Sequence, residues 1–341
     1  MGSRSPDLRY APYAGLAGVP SVIVDGSPAP GTVLCLSHWP GIGSPPEFTA
    51  DLSADMAFRY LGAFDRHETA RAASNNHFDQ DGLVGLFALV APDDALARRA
   101  ALVEVARAGD FAVTSSHAAR RVSMALSAFA DPARSPLAPL PAQYDDTTAL
   151  LYSELLGRLP ELCDRPDHWR DLWAEEDATL RASEDALASG AVTISEVPEV
   201  DLAIVRVPEQ APRGGGHRFA GQWVSGLHPM AINNATERGA VLTLRGNRYE
   251  LAYRYESWVQ FKSRVVRPRV DLAPLAEQLS AAEAEAGGTA RWVAESVSAL
   301  TPTLSPAGGA ESSLAPGAVA AAVEAHLRAA APAWDPFRIT R

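Results

Sequence analysis

Lysine is almost missing from this 341-residue chain: Lys262 stands alone, and nearly all of the 30 basic residues are arginine. Any Schiff-base or phosphate-clamping lysine would have to be Lys262. There are two cysteines, Cys35 and Cys163, far apart in sequence. They build neither a disulfide framework nor a Cys-x-x-Cys metal site, which fits a reducing compartment. No run of about 18 apolar residues occurs, so no transmembrane helix is expected. Residues 1–20 lack a basic start followed by a long apolar run, so no signal peptide is expected and a cytoplasmic location is predicted. Also missing are the Gly-x-x-x-x-Gly-Lys-Ser/Thr phosphate loop, the Gly-x-Ser-x-Gly elbow, the His-Glu-x-x-His pair and a Gly-x-Gly-x-x-Gly after a strand. These absences argue against P-loop NTPases, α/β-hydrolases, zincins and dinucleotide-binding folds. The net charge of −11 argues against extended nucleic-acid binding, which needs basic surface, but not against a small anionic substrate held at a local site.

What is present is ordinary globular material, 47% hydrophobic and 21% charged, enough for a sizeable core and about two domains. Short apolar runs at 21–25 and 32–36, bounded by Gly and Pro, read as buried strands. Helices are expected over 51–61, with Thr49 as N-cap, Asp51 and Asp55 favouring the helix dipole, and an Asp55–Arg59 pair. Further helices are expected over 83–90, 94–108 and 117–130. Residues 71–76 and 111–114 read as strands. This alternation predicts an α/β fold with a mostly parallel sheet. The Pro-rich stretch 131–141 reads as a linker and 148–187 as mainly helical. After 191 the pattern turns to strands at 200–207, 240–244 and 249–259, with helices at 271–286 and 318–331 and a mobile loop at 301–316. The expected organisation is an α/β domain over 1–135, a helical linker region over 136–190 and an α+β substrate-binding domain over 191–341.

One segment carries chemistry. Asn75-Asn76-His77-Phe78-Asp79-Gln80-Asp81-Gly82 places an imidazole and two carboxylates within five positions, between a strand and a helix. Alternate residues at a strand end point the same way, so His77, Asp79 and Asp81 are expected to converge, with Gly82 allowing a tight turn. Mixed nitrogen and oxygen ligands suit Mn²⁺, Zn²⁺ or Fe²⁺, and carboxylate-rich sites lean toward Mn²⁺ or Mg²⁺; such ions activate water and withdraw charge from a phosphoryl or carbonyl oxygen. His38 follows a candidate strand and can project into the same cleft at the carboxyl ends of the strands. Asp25, before Gly26, reads as a turn residue. Arg254, Glu256 and Trp258 share one face of the 249–259 strand, either as a cross-strand ion pair or with Arg254 gripping an anionic group.

Residues 77–90 (HFDQDGLVGLFALV) resemble the first motif of the DHH phosphoesterase superfamily, and residues 214–217 resemble its Gly-Gly-Gly-His segment. The resemblance implies a DHH-like α/β domain in which His77, Asp79 and Asp81 ligate Mn²⁺. It also implies substrate contacts from Gly215, Gly216, His217 and Arg218. Apart from the resemblance, Asn75 and Asn76 read either as positioning water or substrate or as turn residues. No Asp-His-His triplet occurs in the chain. Asp110 would stand in for the family's second-motif aspartate, and His117 for part of the triplet. The Ser37-His38-Trp39-Pro40-Gly41 segment is also similar to one borne by an uncharacterised bacterial family. The expectation is a metal-dependent hydrolase, with water activated by the metal attacking a phosphoester or related bond of a small anionic substrate. Two alternatives stay open: a metal-dependent enzyme of secondary metabolism acting on an amide or acyl bond, and a non-catalytic binding protein with a vestigial site. A homodimer is compatible with all three.

Overall fold

The computed structural model describes residues 8–63, 70–211 and 224–339. Two compact units divide the chain between Asp177 and Ala178. The first holds β1 (Arg9–Tyr10), β2 (Ser21–Val24), β3 (Thr32–Leu36), α1 (Ser53–Gly62), β4 (Ala72–Ser74), α2 (Gln80–Val90), α3 (Pro92–Ala97), α4 (Arg99–Asp110), α5 (His117–Ala130), α6 (Tyr144–Leu155) and α7 (Leu159–Asp164). A helix α8 (Arg170–Ala188) runs across the division, so the stretch expected as a helical linker contains α6, α7 and α8.

In the first unit, four strands pair in the order β1-β4-β2-β3, all parallel. All four residues of β2 are buried, as a parallel strand covered on both faces requires. From Leu83 on α2 is apolar around its circumference; the helix is buried from Gln80 to Leu89 and packed against α1, α4 and the strands. Gly85 permits this closeness, because a Cβ there would sit 2.4 Å from Cγ1 of Val24. The 111–114 stretch is not a strand: α4 continues to Asp110, Phe111 turns inward, and Ala112 takes a φ of 49°. The predicted 94–108 helix is two helices, broken where Arg98 leaves helical geometry at φ −115°. Thr49 does not cap α1: the N-cap is Leu52, and a carboxylate from α2 takes over the role, as described below.

The second unit contains β5 (Thr193–Val197), β6 (Leu202–Val207), α9 (Pro229–Ala235), β7 (Ala240–Arg245), β8 (Arg248–Tyr253), β9 (Arg269–Val270), α10 (Ala273–Glu285), β10 (Trp292–Ala294), β11 (Thr303–Pro306), α11 (Pro316–Ala329) and β12 (Pro332–Trp334). Six strands pair in the order β10-β11-β8-β7-β6-β5, antiparallel except for the β6–β7 pair, and β9 pairs with β12. One face packs Leu202, Leu242 and Leu251 on Leu275 and Leu279 of α10 and Val319 and Val323 of α11. The other packs Ala203, Val205 and Val241 on Leu227 and Ile232.

Two expectations fail in this unit. β8 ends at Tyr253, and Tyr255–Ser257 forms a 3₁₀ turn, so Arg254, Glu256 and Trp258 do not share a strand face. Arg254 instead closes the turn onto Glu256, two residues on. The predicted loop 301–316 contains β11, whose buried Leu304 alternates with half-exposed neighbours.

Candidate metal centre

The carboxyl ends of β2, β3 and β4 meet the starts of α1 and α2, and six titratable side chains gather there. Asp25 follows β2, His38 follows β3, His77 and Asp79 lie in the loop after β4, Asp81 stands in the first turn of α2, and Asp110 ends α4. His38 Nε2 lies 3.3 Å from Asp25 Oδ1 and 3.6 Å from Asp110 Oδ2. His77 Nε2 lies 2.9 Å from Asp79 Oδ2 and 3.3 Å from Asp25 Oδ2.

The motif residues do not form one triad. Asp79 is an extended N-cap with φ −154°, while Asp81 is already helical, so their carboxylates diverge. Asp79 pairs with His77, and Asp81 turns toward α1. Two overlapping ligand sets result: Asp25, His77 and Asp79 in one, Asp25, His38 and Asp81 in the other, each with donor atoms within 4.8 Å of one another. Asp25 belongs to both. It sits in the left-handed region at φ 52°, a conformation that costs an ordinary residue about 1 kcal/mol or more and that gathers at functional sites.

Local sequence explains how each group is held. His38 Nδ1 hydrogen-bonds the carbonyl of Asp51, which sets the ring so that Nε2 faces the carboxylates. Both oxygens of Asp81 accept backbone N–H groups from the start of α1, Oδ2 from Ser53 at 2.7 Å and Oδ1 from Ala54 at 2.9 Å. That carboxylate thereby serves two orphan donors of α1 and meets its positive end. Asp79 Oδ1 accepts from the Gly82 N–H at 2.8 Å. Asn75 accepts from the His77 N–H, and Tyr152 of α6 donates to the His77 carbonyl at 2.7 Å. Gly82 lies inside α2 and does not make the expected turn. A Cβ there would meet Asn75 Nδ2 at 2.2 Å and Tyr152 Oη at 2.6 Å, so glycine is needed for their close approach.

The electrostatics are unbalanced. Asp25, His38 and Asp81 are buried, and the Asp110 side chain is 3% exposed, whereas His77 and Asp79 open to solvent at 20% and 14%. Burial, then the charges of Asp25 and Asp79, push the Asp81 carboxyl well above its ordinary range against the N–H groups of α1. Asp110 is pushed up likewise by burial and by Asp81, Asp79 and Asp25, with His77 opposing. For His77 burial favours the neutral ring, but the Asp79 and Asp25 carboxylates outweigh it and hold the ring well above its usual value. The imidazole nitrogens that face Oδ2 of Asp25 and Oδ2 of Asp110 stand off at 3.3 Å and 3.6 Å, too far for a close hydrogen bond. Four carboxylates facing two imidazoles, with two buried oxygens left open, form a donor set of the kind hard divalent cations take.

The other expected residues fall elsewhere. Asn76 is half-buried, its Oδ1 3.4 Å from His77 Nδ1. His117 is exposed at the first position of α5 and lies outside the cluster. Arg254 is buried in the second unit, paired with Glu256 and donating to the Thr236 carbonyl. Gly215, Gly216, His217 and Arg218 lie outside the described residues. Sequence reasoning passed over Asp25, Ser53 and Tyr152. For Asp25 the available signal is weak: it follows the apolar run at 22–24, and parallel sheets place ligands just beyond such strands.

Among the described residues no helix is long and apolar enough to cross a membrane. No curated protein and no solved structure matches the chain. A family model does, over residues 6–338, and by that match the chain belongs to DUF6687, a family of unknown function.

Proposed function

We propose that this protein is a divalent-metal-dependent hydrolase of the DHH kind, acting on a phosphoester or related bond of a small anionic substrate. The observation that carries this reading is the pair of overlapping donor sets that share the buried Asp25, each with its ligand atoms within 4.8 Å of one another. Four carboxylates outnumber the two imidazoles there, and gathering buried like charges costs several kcal/mol, roughly, unless a cation meets them. Asp25, His77 and Asp79 would hold one ion, and Asp25, His38 and Asp81 a second. Bound there, such ions lower the pKa of coordinated water and draw charge from a phosphoryl oxygen. Mn²⁺, Mg²⁺ and Zn²⁺ all suit the ligand types, with the oxygen excess leaning toward Mn²⁺ or Mg²⁺.

The protein's own groups divide the remaining work. His38, Asp25 and Asp81 exclude water by their burial and keep the inner side rigid. His77 and Asp79 form the open side, where substrate has access, and Trp39 lies against His77 with ring centroids 5.2 Å apart. The parallel sheet, with donors at the carboxyl ends of its strands, also supports the reading. The missing Asp-His-His triplet has a counterpart in chemistry, though not in order: Asp25 and His38 stand before the motif in the chain.

Metal content of the purified protein, with hydrolysis of a bis-aryl phosphodiester in Mn²⁺, tests the proposal. Wild type is expected to carry metal and turn over. The Asp79→Ala/Asp81→Ala double variant is expected to lose bound metal and at least about 100-fold in rate. Full metal loading and full activity in the double variant would defeat it. Turnover of acyl esters or amides with none of phosphoesters would leave the centre and overturn the bond assignment.

A further inference from the structure

Ser53 touches three of the segments that carry the cluster, although it belongs to neither ligand set. It opens α1 and is fully buried. Its Oγ donates to Asp25 Oδ1 at 2.9 Å and accepts from the His38 N–H at 3.2 Å, while its own N–H donates to Asp81 Oδ2 at 2.7 Å. One residue thus ties the end of β2, the end of β3 and the first turn of α2. A hydroxyl has a single proton to give. Here it goes to Oδ1 of Asp25, so Oδ2 is the oxygen left toward His77, at 3.3 Å. The acceptor side of the same hydroxyl fixes the His38 backbone, and the Asp51 carbonyl fixes the ring.

We infer that Ser53 is a positioning residue for the metal centre, setting the Asp25 carboxylate so that both ligand sets can share it. This rests on the proposal that the cluster holds divalent cations. Because Asp25 is common to the two sets, loosening it weakens both. A capping serine with no such role would contribute to α1 alone. Here, however, the contacts to α1's own donors come from Asp81, and the Ser53 hydroxyl points across to Asp25 and His38.

Calorimetric titration of chelator-stripped protein with Mn²⁺ distinguishes the two roles, with circular dichroism and thermal unfolding in chelator run alongside. Ser53→Ala removes the hydroxyl and keeps the backbone N–H to Asp81. It is expected to lower Mn²⁺ affinity roughly 10- to 100-fold, the usual effect of losing a group that orients a ligand. Ser53→Thr restores the hydroxyl and is expected to recover affinity to within about three-fold of wild type, with Ser53→Gly repeating the loss should Ser53→Ala prove unfolded. Alanine and glycine variants that bind within about three-fold of wild type would overturn the inference. So would a loss that threonine, folded, does not recover, since packing alone would then account for it. Wild type that takes up no Mn²⁺ would instead overturn the metal proposal itself, so the two failures are distinguishable.

Discussion

Each unit holds a buried charged cluster, and the two clusters are treated in opposite ways. In the second unit Arg269 is fully buried, yet all of its donors are used: Nε on Ser257, and the two amino groups on the carbonyls of Arg254, Val297, Ala299 and Leu300. Glu283 accepts from Ser312, the Ser313 N–H and Trp292, and Arg254 pairs with Glu256. Burial pulls the Arg269 guanidinium down to about 9, Tyr253 opposing, so it stays charged near neutrality inside its ring of carbonyls. The first unit gathers four carboxylates around two imidazoles and leaves oxygens of Asp25 and Asp110 open. A closed polar network is architecture, because every group in it is satisfied by the chain itself. Four carboxylates against two imidazoles leave an excess of negative charge that the cluster does not balance by itself.

Breaking the closed network should have the largest effect on stability. Arg269→Leu removes the guanidinium donor from the part-buried carbonyls of Val297, Ala299 and Leu300 and from the buried Ser257 hydroxyl, while the Arg254 carbonyl keeps the Ser257 hydroxyl. An expected cost of about 3–5 kcal/mol follows from several unsatisfied acceptors. Chemical denaturation, followed by the fluorescence of the second unit's tryptophans, measures it, and divalent metal should leave the loss unchanged. A cost below about 1 kcal/mol would mean that the carbonyls find water, and the contrast between the units would lose one side.

The open network should respond to metal instead. Mn²⁺ at about 100 times its dissociation constant is expected to stabilise the wild type by about 2.7 kcal/mol, by mass action. The same concentration should do little for Asp25→Asn, which keeps the shape but removes the charge shared by both ligand sets. Thermal shift with and without chelator reads both. An equal shift in wild type and variant would place the ion elsewhere.

Only part of this contrast is legible in the amino-acid sequence. His77, Asp79 and Asp81 announce themselves because they crowd into five positions before a run of apolar residues. Strands β2 and β3 and most of the helices follow from apolar runs and spacing. Asp25 does not announce itself: a lone aspartate before glycine is the commonest of turn signals, and only the parallel pairing of β2 between β3 and β4 turns that corner into a site. Ser53 is less visible still, since its role depends on partners 28 residues away on either side. β11 is hidden by the Ser and Pro around it, because it is held by pairing with β8 and β10 and not by its own propensity. The resemblance to the DHH motifs offers Asp110 as a substitute aspartate. It comes into place because α4 runs on to meet the cluster.

The smallest expected effect separates two kinds of buried acid. Glu250 on β8 is pushed up to about 7 by burial, with Glu295 adding and the Val224 N–H opposing. Its folded pKa lies above the unfolded value, so the folded state binds the extra proton and stability falls as pH rises from about 4.5 to about 7. Glu250→Gln keeps an acceptor for the N–H and removes the titration. It is expected to stabilise the protein by on the order of 1–2 kcal/mol at pH 8 and by almost nothing at pH 4.5. In the cluster, Asp81 and Asp110 are raised in the same direction, and His77, also raised, contributes stability below its ordinary value that is lost as pH climbs through its folded one. The metal-free protein should therefore also lose stability from these groups on going alkaline. Saturating Mn²⁺ should cancel the cluster's share, because an ion in place of protons satisfies the carboxylates, and should leave the share of Glu250 untouched. Unfolding free energies at pH 5 and pH 8, with metal and with chelator, in wild type and Glu250→Gln, separate the two. If Mn²⁺ left the whole pH slope of the Gln variant in place, the open carboxylates of the first unit would be no more a metal centre than Glu250 is.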